Sequence, residues 1–97
     1  MPEHRFYFVY LLTNVGRRAL YTGVTRDLRR RVAQHRAGSG SSFTRNFRVW
    51  RLVWFEVHES PTSAILREKQ LKAGPRRQKL RLIRTMNPEW RDLWDEL

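Results

Sequence analysis

The feature of this sequence that most constrains its fold is a run within residues 5–12 in which both alternating sets of side chains are apolar. The two sets are Phe6, Phe8, Tyr10 and Leu12, and Tyr7, Val9 and Leu11. Successive side chains of a β-strand point to opposite faces of a sheet, so this pattern requires protein on both sides of the strand. We therefore expect a strand that is covered on both faces.

Two further strands are predicted from turn residues and from residue composition. The turn sequence "TNVG" at 13–16 separates the first strand from a second short run at 19–24, which predicts an antiparallel hairpin. Residues 48–57 are rich in aromatic and β-branched side chains, which favour a third strand. The chain therefore contains enough strands for a three-stranded sheet.

Three helices are predicted from their capping residues, because Ser or Thr before a helix and Gly after it satisfy terminal backbone groups. The first helix is expected to begin after Thr25 and to end before Gly38. The second is expected to begin with the cap Ser60 and Pro61 and to end at Gly74, and the third is expected over residues 75–86. The polar stretch 38–42 is predicted as a flexible loop. Residues 87–97 repeat the cap-then-proline signature with a helical stripe of Trp90, Leu93, Trp94 and Leu97.

The element order β-β-α-β-α-α is typical of a small α+β domain, and we expect a single domain over residues 1–97. The chain has no cysteine, which excludes disulfides, thiolate zinc sites and cysteine nucleophiles. No run approaches the roughly 18 apolar residues of a membrane span, and we expect no signal peptide at the amino terminus. We expect a cytoplasmic protein with no membrane partner.

The charge of the chain indicates a polyanionic partner. Lys and Arg number 20 against 9 Asp and Glu, a formal net charge of +11, and 17 of the basic residues are Arg. Guanidinium groups bind phosphate oxygens in a bidentate manner, so we expect nucleic acid as the partner. The base composition of the source genome would explain the preference for Arg over Lys, but not the net excess of positive charge.

Two polar residues lie beside the apolar face of the first predicted helix. Leu28 and Val32 define that face, and at about 100° per residue His35 falls within roughly 20° of Leu28. Arg31 lies on the side of Leu28 away from Val32. Singly, Arg31 would lie over the core with its head in water, and His35 would interact with the helix dipole. As a pair one turn apart that faces the sheet, they indicate a phosphate site.

A carboxylate lies on the apolar face of the second predicted helix. Ala64, Ile65 and Leu71 define this face, and Glu68 lies between them. A buried carboxylate is costly unless a cation compensates its charge. Two interpretations remain open: a structural ion pair with an arginine, and a single ligand for a divalent cation such as Mg²⁺.

Two tyrosines flank the predicted hairpin turn. Tyr10 and Tyr21 are nearly symmetrical about it, so we expect them across from one another on one face of the sheet. Aromatic cross-strand pairs stabilise sheets, which would be enough to explain them. Gly23 is unusual in a strand and indicates a close backbone approach or a bulge.

Taken together, these segments resemble the GIY-YIG nuclease superfamily. "VYLL" around Tyr10 and "YTG" at 21–23 are similar to its two half-motifs, with eleven residues from tyrosine to tyrosine. "TRDLRRRVAQH" resembles the helix in which a catalytic arginine follows the second tyrosine by ten residues, and a histidine or tyrosine follows four residues later. "ILREKQLK" resembles the helix with the metal-binding glutamate, and "MNPEWRDLW" is similar to the small stand-alone branch.

The resemblance implies a mixed or antiparallel three-stranded sheet flanked by helices, and metal-dependent hydrolysis of phosphodiesters. It implies that Tyr10, Tyr21, Arg31 and His35 are catalytic. Glu68 would hold one Mg²⁺ or Mn²⁺ ion. The implied supporting residues are Gly23 and Asn87, the latter otherwise being the N-cap of a last helix.

The chain departs from the family pattern at a few positions. Phe8 stands where the first half-motif has glycine, and Thr22 is the middle residue of the second. Some repair nucleases carry a lysine after that motif, where this chain has Val24. Glu56 and Glu59 stand near the metal-binding helix, so the register of the glutamate stays open.

In the expected mechanism, Arg31 neutralises charge on the phosphoryl oxygens while Glu68 holds the cation. The base that takes a proton from water stays open among Tyr21, Tyr10 and His35, in that order. A tyrosine with a pKa near 10 is a poor base at neutral pH unless a nearby cation lowers that pKa.

We expect an endonuclease in DNA repair or processing that acts on structured or single-stranded DNA in preference to RNA, with no protein partner indicated. The residues expected to contact nucleic acid outside the chemistry are Arg17, Arg18, Arg26, Arg29, Arg30, Arg45, Arg48 and, in a mobile loop, the base-stacking Phe43. One alternative is a non-catalytic nucleic-acid-binding module with a nuclease-like fold. A second is an interaction protein that binds acidic ribosomal or membrane surfaces.

Overall fold

The computed structural model describes residues 5–97, and its central strand is the one that is apolar on both faces. The strands are β1 (Tyr7–Thr13), β2 (Leu20–Thr25) and β3 (Arg51–His58). The helices are α1 (Leu28–Arg36), α2 (Ser42–Phe47), α3 (Pro61–Ala73) and α4 (Arg76–Met86), followed by a short 3₁₀ helix (Leu93–Glu96). The predicted α+β class is confirmed, with the order β-β-α-α-β-α-α.

The sheet is antiparallel throughout and has the order β2-β1-β3. The predicted hairpin of β1 and β2 is confirmed, but its register differs from our expectation. Tyr10 is paired with Gly23, and Tyr21 is paired with Leu12. The two tyrosines therefore share one face as diagonal neighbours and do not lie directly opposite each other, because successive residues of a strand alternate between faces.

Two hydrophobic clusters cover the two faces of β1, as its sequence predicted. Val9 and Leu11 pack against residues of α3 and α4, including Ala64, Leu71 and Ile83. The opposite face, with Tyr10 and Leu12, packs against α1 and the 3₁₀ helix through Leu28, Val32 and Leu93. The helices that carry the two halves of the predicted site, α1 and α3, consequently lie on opposite faces of the sheet.

The predicted boundaries of α3 are confirmed, whereas the predicted cap of α1 is wrong. Ser60 caps α3 by accepting a hydrogen bond from the Ser63 amide, Pro61 is its first residue, and Gly74 ends it. Helix α1 is capped by Asp27, whose carboxylate accepts from the Arg30 amide at 3.1 Å. Thr25 is instead the last residue of β2, and its hydroxyl accepts from the Asp27 amide.

Helix α2 is an element that the sequence did not predict, and it occupies residues expected to form a mobile loop. Ser41 caps this helix and accepts from the Thr44 amide at 3.1 Å, while the Thr44 hydroxyl accepts from the Ser41 amide at 3.1 Å. The reciprocal bonds form a capping box. Phe43 therefore lies on a helix and not in the loop that we expected.

The predicted helix over residues 87–97 is reduced to the 3₁₀ helix, which Asp92 caps. Asn87 ends α4, so its prediction as the N-cap of a last helix is wrong. Trp90 has a φ of 57° and packs with the α3 and α4 cluster, whereas Leu93 lies in the opposite cluster. The predicted single stripe is therefore split between the two faces. Within residues 5–97, none of the helices combines the length and apolarity needed to cross a bilayer.

Candidate active site

The buried part of the site is a chain of hydrogen bonds that links β1, α1 and α2. The Tyr10 hydroxyl lies 3.1 Å from His35 Nε2, and His35 Nδ1 lies 3.0 Å from Thr44 Oγ1. All three side chains are buried, with exposures of 1%, 3% and 2%. His35 therefore faces the sheet, as the helical projection indicated.

Both ring nitrogens of His35 are hydrogen-bonded, and the tautomer of the imidazole sets which partner donates. In the tautomer that is protonated at Nδ1, Thr44 accepts from His35 and donates to the Ser41 carbonyl oxygen at 3.0 Å, while His35 Nε2 accepts from the Tyr10 hydroxyl. Burial, together with the charge of Arg31, lowers the pKa of His35 to about 4, so the imidazole is neutral at neutral pH.

Arg31 and Tyr21 lie beside this buried chain and are partly exposed. The Tyr21 ring centroid is 5.2 Å from that of His35 and 6.2 Å from that of Tyr10. Burial lowers the pKa of Arg31. Hydrogen bonding and electrostatic attraction to Tyr10 and Tyr21 raise this pKa by more than burial lowers it, so the pKa lies above its ordinary value. The guanidinium group is therefore directed toward both phenols, while one of its nitrogens donates to Gln34 at 3.0 Å.

Tyr10 is strongly biased toward its neutral form. Burial is the largest cause that raises the pKa of this phenol, followed by the neighbouring Tyr21, and Glu68 adds a smaller effect in the same direction. Arg31 opposes these effects. The phenol consequently keeps its proton at neutral pH.

Glu68 approaches this group from α3, on the other side of the sheet. Its side chain is 15% exposed and forms an ion pair of 3.4 Å with Lys72, one turn along the same helix. The predicted ion pair with an arginine is thus replaced by one with a lysine. The carboxylate charge contributes to the raised pKa of Tyr10, so it lies within electrostatic range of the site. Helix α3 packs against both β1 and the edge strand β2, the strand that carries Tyr21.

The other two glutamates considered near this helix have different surroundings. Glu56 on β3 forms bonds with Arg67 at 3.0 Å and His58 at 2.7 Å, and Glu59 is exposed. The electrostatic influence on Tyr10 belongs to Glu68. Ile65, expected on the apolar face beside it, is 44% exposed, so that face is narrower than we predicted.

Two glycines provide the space in which Tyr10 and His35 lie. A Cβ atom at Gly23 would be 2.3 Å from both Cζ and the hydroxyl oxygen of Tyr10. A Cβ atom at Gly40 would be 2.1 Å from His35 Nδ1. The predicted close approach at Gly23 is therefore found, and the partner is the Tyr10 ring. Gly40 and Thr44 were not predicted, although the capping pair of Ser41 and Thr44 could have indicated a helix there.

Asn87 is buried, and its side chain bonds to β3 and to the segment after α4. Its amide donates to the carbonyl oxygens of Val53 at 3.2 Å and Arg91 at 2.7 Å, and its oxygen accepts from the Arg91 amide at 3.0 Å. These bonds hold the turn after α4 against β3. A contact between Asn87 and the site stays a prediction.

The predicted basic contacts all lie on the surface, and they fall into two groups. Arg17 donates to the Glu89 carbonyl oxygen, and Arg29 donates to that of Leu97. The other five predicted contacts are exposed, and their side chains form no hydrogen bond within residues 5–97: Arg18, Arg26, Arg30, Arg45 and Arg48. The second group is free to contact phosphates.

Comparisons with known proteins find similarity over most of the chain. The model of the GIY-YIG catalytic domain matches residues 6–81. A UPF0213 protein of Staphylococcus aureus is 37% identical over 78 residues, which is 80% of this chain and 94% of the relative. A UPF0213 protein of Staphylococcus haemolyticus is 37% identical over 83 residues, covering 86% and 96%. The solution NMR structure of a UPF0213 protein from Bacillus halodurans is 30% identical, with a TM-score of 0.57 over 90% of this chain and 92% of that one.

Proposed function

This chain belongs to the GIY-YIG catalytic domain family of nucleases, and from that membership we propose that it is a metal-dependent endonuclease that hydrolyses phosphodiester bonds in DNA. The observation that carries the proposal is the grouping of Tyr10, Tyr21, Arg31 and His35, with the charge of Glu68 in range. These residues come from four elements, β1, β2, α1 and α3. We propose that the described residues act as a single nuclease domain.

Arg31 is proposed to bind the scissile phosphate. Its guanidinium group is partly exposed and faces two phenol oxygens, so a phosphate oxygen can replace or join them as an acceptor. A cation held in place before the reaction stabilises charge that develops on the phosphoryl oxygens, an effect worth several kcal/mol in comparable sites.

Tyr21 is the proposed general base. Both nitrogens of His35 already form hydrogen bonds, and the Tyr10 hydroxyl is directed at His35 with a raised pKa. Neither of these two side chains is exposed enough to meet a water molecule, whereas Tyr21 is partly exposed beside Arg31. Tyr10 and His35 are then positioning residues that hold the face on which Tyr21 and Arg31 lie.

The donor chemistry of the site fits a Mg²⁺ or Mn²⁺ ion held by the Glu68 carboxylate. Residues 5–97 contain no cluster of three or more His, Asp or Glu side chains, so the remaining ligands would be water and phosphate oxygens, an arrangement that Mg²⁺ often adopts. The Lys72 ammonium beside Glu68 is 53% exposed and can move away. When bound, the cation supplies Lewis-acid polarisation of the phosphate and positive charge near the leaving oxygen.

The basic surface is proposed to hold the DNA backbone without reading its sequence. The exposed arginines on α1 and around α2 carry positive charge next to the site, as in other proteins that contact phosphates. The net charge of +11 supports this role. The seven arginines and Phe43 named from the sequence remain the proposed contacts.

The proposal is tested by incubating the pure protein with end-labelled single-stranded, branched and duplex DNA, and with RNA of the same sequence. We expect cleavage of DNA with Mg²⁺ or Mn²⁺ and none after addition of EDTA. The same samples are analysed for binding by fluorescence anisotropy. Binding without cleavage under every metal condition would contradict the proposal and would support the non-catalytic nucleic-acid-binding module.

A further inference from the structure

Three aromatic rings form a continuous row that begins at the site and extends outward along α2. The Tyr21 and Phe43 ring centroids are 6.1 Å apart with an interplanar angle of 30°. The Phe43 and Phe47 centroids are 4.8 Å apart with an angle of 38°. We call Tyr21, Phe43 and Phe47 the aromatic row.

Packing of the core does not account for the outer two rings. Phe43 is 40% exposed and Phe47 is 55% exposed, although both are large apolar side chains. Residues four apart on a helix lie on the same side, so the two rings form one surface of α2, while Thr44 faces inward to His35. Helix α2 therefore has one side that supports the site and another that presents aromatic rings to solvent.

Exposed arginines and a groove lie next to Phe47, at the outer end of the aromatic row. Arg45 and Arg48 are exposed on and directly after α2. Beyond Phe47 lies a groove of about 360 Å³, lined by Asn14, Val15, Gly16, Phe47, Arg48 and Trp50. Aromatic rings next to arginines are the combination by which proteins bind the bases and the backbone of single strands.

We propose that the aromatic row stacks on unpaired bases next to the scissile phosphate, so that the substrate class is single-stranded DNA. This inference rests on the proposed function for the location of the cleaved bond. In a duplex the faces of the bases are covered by their neighbours, whereas unpaired bases have free faces on which exposed rings can stack. The continuity of the row with Tyr21 places these bases beside the reacting phosphate.

The test measures equilibrium binding in EDTA, so that it does not depend on cleavage. The probes are a fluorescein-labelled single strand of mixed sequence and a blunt-ended hairpin duplex with the same number of phosphates. We expect tighter binding of the single strand by the parent protein. Phe43→Ala and Phe47→Ala are each expected to weaken single-strand binding about tenfold, the scale of one stacking contact, with less than a twofold change for the duplex.

Three further variants separate stacking from other causes. Phe47→Trp retains an aromatic face and is expected to bind the single strand as the parent does, whereas Phe47→Leu is expected to lose about as much as Phe47→Ala. Val57→Ala, on the edge strand β3 where Val57 is 51% exposed, serves as the control for loss of an exposed apolar side chain.

The inference is overturned if the parent binds both probes equally, or if Phe47→Leu binds the single strand as well as Phe47→Trp does. Cleavage is measured separately on the same oligonucleotides with Mn²⁺. A parent that cuts duplex as fast as single strands, with unchanged rates in both Phe→Ala variants, retains the proposed function but overturns this inference. A parent that shows the stacking preference and cuts nothing supports this inference and contradicts the proposed function.

Discussion

Tyr10 and Gly23 are paired across β1 and β2, and the Tyr10 ring lies in the space where any other residue at position 23 would have its side chain. The same ring is fixed at its hydroxyl by His35. Tyr10 and His35 are both buried, so the Tyr10 ring has little room to move. The glycine of "YTG" is therefore needed for packing of the site, independently of any chemistry.

We predict that Gly23→Ala destabilises the protein by about 1–3 kcal/mol, because the new methyl group forces the Tyr10 ring away from His35. The free energy of unfolding is measured in urea by tryptophan fluorescence. Gly16→Ala is the matched control, since a Cβ atom there meets nothing within 4 Å, and it is expected to change stability by less than about 0.5 kcal/mol. Equal stability of the two variants would show that the ring can move freely.

The lowered pKa of His35 predicts a dependence of stability on pH. The folded protein holds this imidazole with a pKa of about 4, below the ordinary value of 6.5, so the neutral form is favoured by folding. The contribution is complete above pH 6.5 and is lost as the pH falls toward 4, because only the unfolded chain takes up a proton in that range.

We expect the parent to lose about 2–3 kcal/mol of stability between pH 7 and pH 4 that the variant His35→Gln does not lose. Unfolding in urea at several pH values provides the measurement. All other ionisable groups are the same in both proteins, so the difference between the two curves isolates His35. Parallel curves would contradict the buried, neutral state of this residue.

At the scale of elements, the sequence predicted those parts of the fold whose signals are local. The alternation in β1, the turn before β2 and the caps of α3 are each encoded within a few residues, and each was found. Helix α2 has only six residues, and short helices depend on tertiary contacts for stability. Its contact is the bond between Thr44 and His35, which cannot be seen until α1 and α2 are placed together.

The candidate site was predictable as a set of residue types and spacings, but its geometry was not. The resemblance located Tyr10, Tyr21, Arg31 and Glu68, whose catalytic roles stay predictions. The diagonal register of the two tyrosines depends on how the hairpin pairs, and a shift of one residue reverses every side chain between the faces. The contact of Phe47 with Phe43 depends on helix α2, which the sequence did not predict.

The segment after α4 is held by side-chain bonds that join distant positions. Asp92 forms an ion pair with Arg36, accepts from the Leu52 amide at 3.2 Å and accepts from the Trp94 amide at 3.2 Å. Arg36 also lies over the rings of Trp50 and Trp94, at 4.9 and 4.7 Å. This arrangement explains why the segment is irregular although its sequence is typical of a helix.

Asp92→Ala is expected to lower the free energy of unfolding by about 2–3 kcal/mol, because it leaves a guanidinium group and two backbone amides without their acceptor. Asp95→Ala removes a neighbouring exposed carboxylate and is expected to change stability by less than about 0.5 kcal/mol. Chemical denaturation of both variants provides the comparison. Similar losses in the two would mean that net charge, and not the Asp92 bonds, determines the stability of this segment.

At the scale of the whole molecule, the net charge of +11 includes exposed arginines in the turn between β1 and β2 and around α1 and α2. The side chains of five of them, Arg18, Arg26, Arg30, Arg45 and Arg48, form no hydrogen bond within the described part of the chain. If all five contact phosphates, the logarithm of the association constant for a single strand falls against the logarithm of salt concentration with a slope of about −3.5.

We predict that Arg30→Ala reduces this slope by about 0.7 in a salt titration followed by anisotropy, since each phosphate contact releases counterions. Arg84→Ala, which removes an equal charge from α4, is expected to leave the slope unchanged. A slope that responds equally to both changes would indicate attraction by overall charge without a defined binding face.

The central claim is that one site, formed around the edge strand β2 by residues from both faces of the sheet, cleaves DNA. The most direct test is the single-turnover rate of cleavage with Mn²⁺ for Arg31→Ala and Glu68→Ala, with Arg84→Ala and Glu59→Gln as the matched charge controls. The account predicts that both site variants lose at least a hundredfold in rate, consistent with loss of several kcal/mol of transition-state stabilisation, while they retain most DNA binding and both controls cut as the parent does. Site variants that cut as fast as the parent would contradict it.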